Sequence, residues 1–280
     1  MEERVKMAAI PELKSEWIWA VLFVAFLIPA IFPIGVSFPM SPVTLEIYNL
    51  IEDLPEGSLV VMGGSGVIAF DIESSPGMIA AVRQMEKLGH KLVTCPLGSE
   101  TPQYHKFIID SARVDVSVGG SWVWGEDYVL LPYLPGGTSA LVAYLDDVKA
   151  TVSVDMRGGP ISELPIFDDY NNYEDIDLWI CPHWGFVTII RIVVGEYDLT
   201  AISFAQSTAY AFFSPYMQAY PGQVYMTNGY LGGAQYEKLN NMKGLGHQVQ
   251  DSYTVVSVLI AGFIIAGNIT MLTKKEEEEN

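Results

Sequence analysis

Two long apolar runs frame a chain whose middle alternates between strand-like and helix-like patterns. The first, Trp17 to Phe38 (WIWAVLFVAFLIPAIFPIGVSF), holds no charged side chain. Its length is about the twenty residues that a helix needs to cross a bilayer core. Trp17 and Trp19 stand at its start, where indoles favour the headgroup level. Pro29 and Pro33 are expected to kink or unwind its second half. A cleaved signal peptide needs a short basic start and a small-x-small site. The leader here contains Glu2, Glu3, Glu12 and Glu16, and the run ends in Val36-Ser37-Phe38-Pro39. The pattern therefore predicts an uncleaved transmembrane helix over 17–38. The second run, Thr254 to Leu272, has Asn268 as its only strongly polar member and predicts another span over 253–273. Within it, Ser257 and Ala261, then Gly262 and Ala266, are small residues that would let a neighbouring helix approach closely. They are the expected helix–helix interface, with the first span or with another subunit.

Between the runs the hydrophobic period switches repeatedly. Val43 to Leu54 has helical spacing. Leu59 to Met62 and Val67 to Phe70 read as strands, with Gly63-Gly64-Ser65-Gly66 as a tight hairpin turn between them. Pro76 to Leu88 reads as a helix, capped by Ser74 or Ser75 and stopped at Gly89. Further strands are expected at Lys91–Cys95, Val114–Val118, Tyr128–Leu131, Thr151–Val154, Leu178–Cys181 and Leu199–Phe204. Helices are expected at Thr101–Ala112, Thr138–Ala150, Val187–Val194 and Gly229–Leu239. Strands separated by such helices imply βαβ crossovers. The predicted fold is α/β, a mainly parallel sheet flanked by helices (Rossmann-like), with one transmembrane helix at each end. The domain would occupy 39–252, after a leader at 1–16 and before an acidic tail at 274–280.

Charge narrows the partners. A net charge of −18 argues against nucleic acid, because phosphate contacts require clustered Lys and Arg. It equally argues against a polybasic lipid-binding surface, leaving salt adaptation as another source of the acidity. Lys and Arg near the spans set orientation. Arg4, Lys6 and Lys14 precede the first span and Lys274 and Lys275 follow the second, whereas the domain side offers only Lys238 and Lys243. Both termini are therefore expected in the cytoplasm and the α/β domain outside it. Cys95 and Cys181 lie near strand ends, where buried free thiols are the simpler expectation than a disulfide.

Candidate chemistry is sparse. The Gly63–Gly66 loop lacks the Lys-Ser/Thr of a phosphate loop and the spacing of a dinucleotide fingerprint. Asp71, Glu73 and Ser74 follow a predicted strand, at the carboxyl edge where open α/β sheets gather ligands. Two carboxylates there would suit a metal or acid–base work, against the simpler reading of a solvated loop with a helix cap. His183 follows Cys181-Pro182 after another strand, without a recognisable third partner. These four are the candidate ligand-binding residues, and no cofactor is indicated. Ser121-Trp122-Val123-Trp124 and the aromatics from Tyr210 to Tyr230 read as core or membrane-proximal packing rather than a binding surface.

VIAFDIESSPGM (67–78), YVLLPYLPGG (128–137) and GYLGGAQYEKL (229–239) together resemble a group of prokaryotic membrane proteins that carry a Rossmann-like domain tethered by hydrophobic segments. The resemblance implies a fold and no activity. The expected role is a non-catalytic accessory or scaffolding subunit of a membrane assembly. Its partners would be the lipid bilayer and other membrane subunits or a second copy. The alternatives are a membrane-proximal, hydrolase-like enzyme or a small-ligand receptor with its site at the strand ends.

Overall fold

The computed structural model describes residues 15–113, 122–182 and 185–278. They fall into two compact units, Phe38–Gly246 and the flanking segments up to Ser37 and from His247 onward.

Phe38–Gly246 is an α/β unit. Helix α2 (Pro42–Glu52) precedes β1 (Leu59–Gly64), α3 (Ser75–Leu88), β2 (Lys91–Pro96), α4 (Thr101–Ala112) and β3 (Tyr128–Val129). A long crossover carries α5 (Thr138–Asp146), α6 (Val148–Thr151) and three single 3-10 turns to β4 (Leu178–Pro182). Then come α7 (Phe186–Ile189), which widens into a π turn at Ile190–Val194, and β5 (Ala201–Ala205). The unit ends with α8 (Ser207–Phe213), α9 (Pro215–Ala219), β6 (Val224–Asn228) and α10 (Gly229–Leu239). All five strand pairings are parallel, in the order β3-β2-β1-β4-β5-β6. This is the doubly wound order of Rossmann-like folds, so the expected parallel α/β architecture holds.

Burial on both faces explains the run-like strand sequences. One face packs Met62, Met78, Val82, Ile108 and Tyr236 with Ile47 and Ile51 of α2. The other packs Val61, Val93 and Trp179 with Leu141, Tyr144 and Ile189. Trp179 lies against Gly63, and a Cβ at that glycine would overlap the indole ring. Cys95 pairs level with Gly63, and the β1–β4 register puts Cys181 level with it on the other side. The two cysteines thus stand two strand spacings apart, about 9–10 Å, beyond disulfide reach. Both are buried and free.

Three expectations for this unit need correction. Val67–Phe70 is no strand and Gly63–Gly66 no hairpin; β1 runs on through Gly64, and residues 65–74 are loop and turns. A hairpin partner has no place to pair, because β1 is already bonded to β2 on one side and β4 on the other. Thr138–Ala150 is not one helix: Asp147 is extended between α5 and α6 and caps the second by accepting from the Ala150 N–H. Thr151–Val154 contributes one isolated bridge, Val154 to Pro160, rather than a strand. The expected strand at Val114–Val118 lies outside the described residues.

In the other unit, α1 (Ser15–Ile31) has 17 residues, about 25 Å at helical rise, against the ~30 Å hydrocarbon core. The expected single transmembrane helix over 17–38 is therefore corrected to a helix that stops at Ile31. Pro33 has no N–H and pushes Phe32 out of helical geometry, so Phe32–Ser41 is not helical. Helix α11 (Leu245–Glu278) has 34 residues, and its portion Leu245–Leu272 is long and apolar enough to cross a membrane. Among the described residues it is the one helix of that length and composition. Asp251 of α11 is fully buried and accepts from the backbone N–H groups of Gly35 (2.7 Å) and Val36 (2.8 Å). The rings of Phe26 and Tyr253 meet at 6.1 Å.

Two stability predictions follow from burial. Gly63→Ala forces a methyl into the Trp179 ring and is expected to lower stability by about 1–3 kcal/mol, read as a lower denaturation midpoint. An unchanged midpoint would mean that the Trp179 contact is not tight. His105 of α4 is fully buried, and burial lowers its pKa from 6.5 to about 3. The unfolded chain then binds the extra proton between those values, so stability is full above the unfolded pKa and falls as the pH drops. The expected slope is about 1.4 kcal/mol per pH unit inside that window. His105→Leu should flatten it; an unchanged pH profile of the melting midpoint would assign the acid sensitivity elsewhere.

Candidate functional site

The strand order reverses between β1 and β4, which makes the loops after these strands the first place to look for a ligand. In a dinucleotide site the β1 loop offers free backbone N–H groups to phosphate. Here two of them are already used. Gly66 N–H donates to Thr101 Oγ1 at 2.9 Å, and Val67 N–H donates to Asp71 Oδ2 at 2.8 Å. Asp71 is fully buried beneath the loop, where its carboxylate would repel an incoming anion. The same residue builds the turn into α3: its carbonyl accepts from Ser74 N–H, Ser75 N–H and Ser75 Oγ. The loop is therefore shaped by its own acid rather than left open for phosphate.

The predicted site residues separate at this point. Asp71 faces the loop backbone. Glu73 is half-buried and its Oε1 accepts from Ser207 Oγ at 2.5 Å. Ser74 occupies the N-cap of α3 without a side-chain capping bond and is buried, its hydroxyl unpartnered among the described residues. Ser75, the alternative cap, is the first residue of the helix instead. His183 lies outside the described residues. Its neighbour Cys181 is buried, and burial, with the nearby Asp71 charge adding to it, pushes the thiol well above its ordinary value and so disfavours the thiolate. Among the described residues no three His, Cys, Asp or Glu side chains are grouped to hold a metal.

The aromatics serve packing, as expected. Trp122 is buried, stacks on Tyr128 and donates from Nε1 to the His90 carbonyl at 2.8 Å. Trp124 donates to Asp155 at 3.1 Å and carries the Arg157 guanidinium over its ring. Tyr210, Phe213, Tyr216 and Tyr220 pack partly buried against the core, whereas Phe212 is 77% exposed.

What remains is a convergence of three loops at the carboxyl edge. Gly77 of α3 packs so closely on Phe204 of β5 that a Cβ would overlap the ring, and Gly233 of α10 sits against Pro76. These contacts bring the start of α3 to the starts of α8 and α10. Glu73, Ser207 and Gly229 meet there, and Gly229 (φ +52°) packs directly on both side-chain oxygens. Two of the three segments that carried the resemblance, 67–78 and 229–239, are thus in contact through Pro76 and Gly233. Ser207 and Gly229 escaped the sequence reading. The usable signal was Ser207's place just after the apolar run Ala201–Ala205, the same strand-end rule that selected Glu73.

Gly229→Ala is expected to cost about 1–3 kcal/mol, from its positive φ and from overlap with both partners. Part of that cost should vanish in a Glu73→Ala background, giving a sub-additive double-mutant cycle. Strict additivity would show that Gly229 does not press on the pair.

Comparison of the chain with protein-family models, curated proteins and solved structures finds no match, so the reading of function rests on this geometry.

Proposed function

We propose that this protein is a membrane-tethered, Rossmann-like subunit serving a larger membrane assembly in an accessory or scaffolding role. The observation that carries this reading is the exposure of α11. None of its most apolar stretch is buried within the chain, so lipid or another protein must cover it. Hydrophobicity holds the helix in a bilayer, but it does not join helices to one another there. Ser257, Ala261 and Gly262 are exposed, and among the described residues nothing lies within 4 Å of a Cβ built at Gly262. That face suits a helix from another subunit or a second copy.

The Asp251 clasp supports a second span. Non-helical backbone within a bilayer requires partners for its N–H groups. Asp251 supplies them to Gly35 and Val36, allowing the apolar segment to continue past the break at Pro33. The excess of Lys and Arg in the leader and tail supports an orientation with both termini in the cytoplasm and the α/β unit outside. The resemblance to tethered Rossmann-like membrane proteins agrees with this arrangement.

Gly262→Leu with Ala266→Leu keeps the segment apolar and long enough to insert. The expected result is normal membrane insertion with loss of the complex, read by cross-linking and by size in mild detergent. Assembly like that of the wild type would remove the support for a subunit role. A second reading, a membrane-proximal enzyme, is favoured by the Glu73–Ser207 contact.

A further inference from the structure

We propose that Ser207 and Glu73 form a nucleophile–base pair that cleaves an uncharged ester of an apolar acyl group. This deepens the enzyme reading and does not depend on how the membrane helices assemble. The Ser207 hydroxyl donates to Glu73 Oε1 at 2.5 Å, within the range of a charge-assisted O–H···O⁻ bond. The hydroxyl proton is therefore already aimed at a base, the first geometric requirement for an activated nucleophile. A buried polar clasp would hide both groups, yet Ser207 is exposed and Glu73 half-exposed. Gly229 backs the pair from one side, where only a residue without a Cβ leaves both oxygens room. The pair also stands where α/β sheets place reacting groups, beyond the carboxyl ends of β1 and β5, with Glu73 in a turn and Ser207 at the start of α8.

The surroundings select the substrate. Ile72, next to Glu73, is 39% exposed, and Phe212 projects from the helix that Ser207 begins. Ile68 and Phe70 add exposed apolar surface in the same loop as Glu73. Asp71 and Glu73 together disfavour an anionic acyl group. In the reaction, Ser207 Oγ bonds to the acyl carbon as its proton passes to Glu73. The ester C–O bond then breaks, and the leaving alkoxide takes that proton and departs as the alcohol. Water attacks the acyl-serine, giving a proton to Glu73 that returns to Ser207 Oγ as the acid is released.

The test uses the full-length protein in mild detergent with an alkyl fluorophosphonate, where fluoride leaves as the Oγ–P bond forms. The expected result is one adduct at Ser207, none at the adjacent Thr208, and none in Ser207→Ala. Glu73→Gln should label at least tenfold more slowly with an unchanged melting midpoint. Glu73→Asp, which keeps the charge but withdraws the base, should also label more slowly and covers the case where Glu73→Gln misfolds. Wild-type protein without an adduct at Ser207, or labelling of Glu73→Gln at the wild-type rate, overturns the proposal. Turnover of a nitrophenyl alkanoate that survives Ser207→Ala overturns this assignment while leaving an enzyme. Absence of both adduct and turnover overturns the enzyme reading with it, and neither result bears on the subunit role.

Discussion

A parallel sheet must be covered on both faces, and the central strand β1 meets that demand where Trp179 lies on Gly63. The strand is bonded on both sides, so its side chains alone decide what can approach it. A glycine there leaves a gap one indole wide, and the β4 tryptophan fills it, fully buried. Much of the unit depends on that fit. The strand register around it puts the two cysteines on either side of the glycine and out of reach of each other. With both edges of β1 bonded, the chain beyond Gly64 continues as a loop rather than a hairpin.

The loop after β1 explains how a Rossmann-like strand order can exist without a nucleotide fingerprint. Backbone N–H groups that face a crevice need acceptors whether or not a ligand comes. In this chain Thr101 and Asp71 supply them from inside. Once a buried carboxylate has that task, the local field opposes phosphate. The Glu73–Ser207 contact lies farther along the edge, where α3, α8 and α10 begin. Close packing of Gly77 on Phe204 and of Gly233 on Pro76 brings those elements together.

The same principle governs the other unit, which holds α1 and α11. Proline ends α1 at Ile31, and the amides freed by the break at Gly35 and Val36 find a buried carboxylate on α11. An internal acid replaces water as the acceptor in both units, under the β1 loop and beside the α1 break. In each case the acid is far from obvious as a structural residue, since a lone Asp in a loop or near a helix start is usually solvated.

Periodicity determined the parallel α/β class, the helices Thr101–Ala112 and Gly229–Leu239, and the membrane-length apolar run at the carboxyl end. These are local properties: an apolar stripe or run must be buried or covered wherever the chain goes. Gly89 was legible as a helix stop because a left-handed residue there favours glycine, and it adopts φ +75°. The glycines at 63 to 66 misled, because the pattern of a hairpin turn cannot reveal that both edges of β1 are already bonded. Strand β6 was missed for a related reason; Val224–Asn228 is an edge strand whose burial comes from packing rather than from its own pattern. Asp71 and Glu73 were placed after a strand at Val67–Phe70 that the fold does not form, and the sequence could not tell them apart. Only tertiary structure turned one inward to its own loop and the other outward to Ser207, 134 residues away along the chain. Hydrogen bonds at that separation leave no trace in local spacing, and the fold alone decides them.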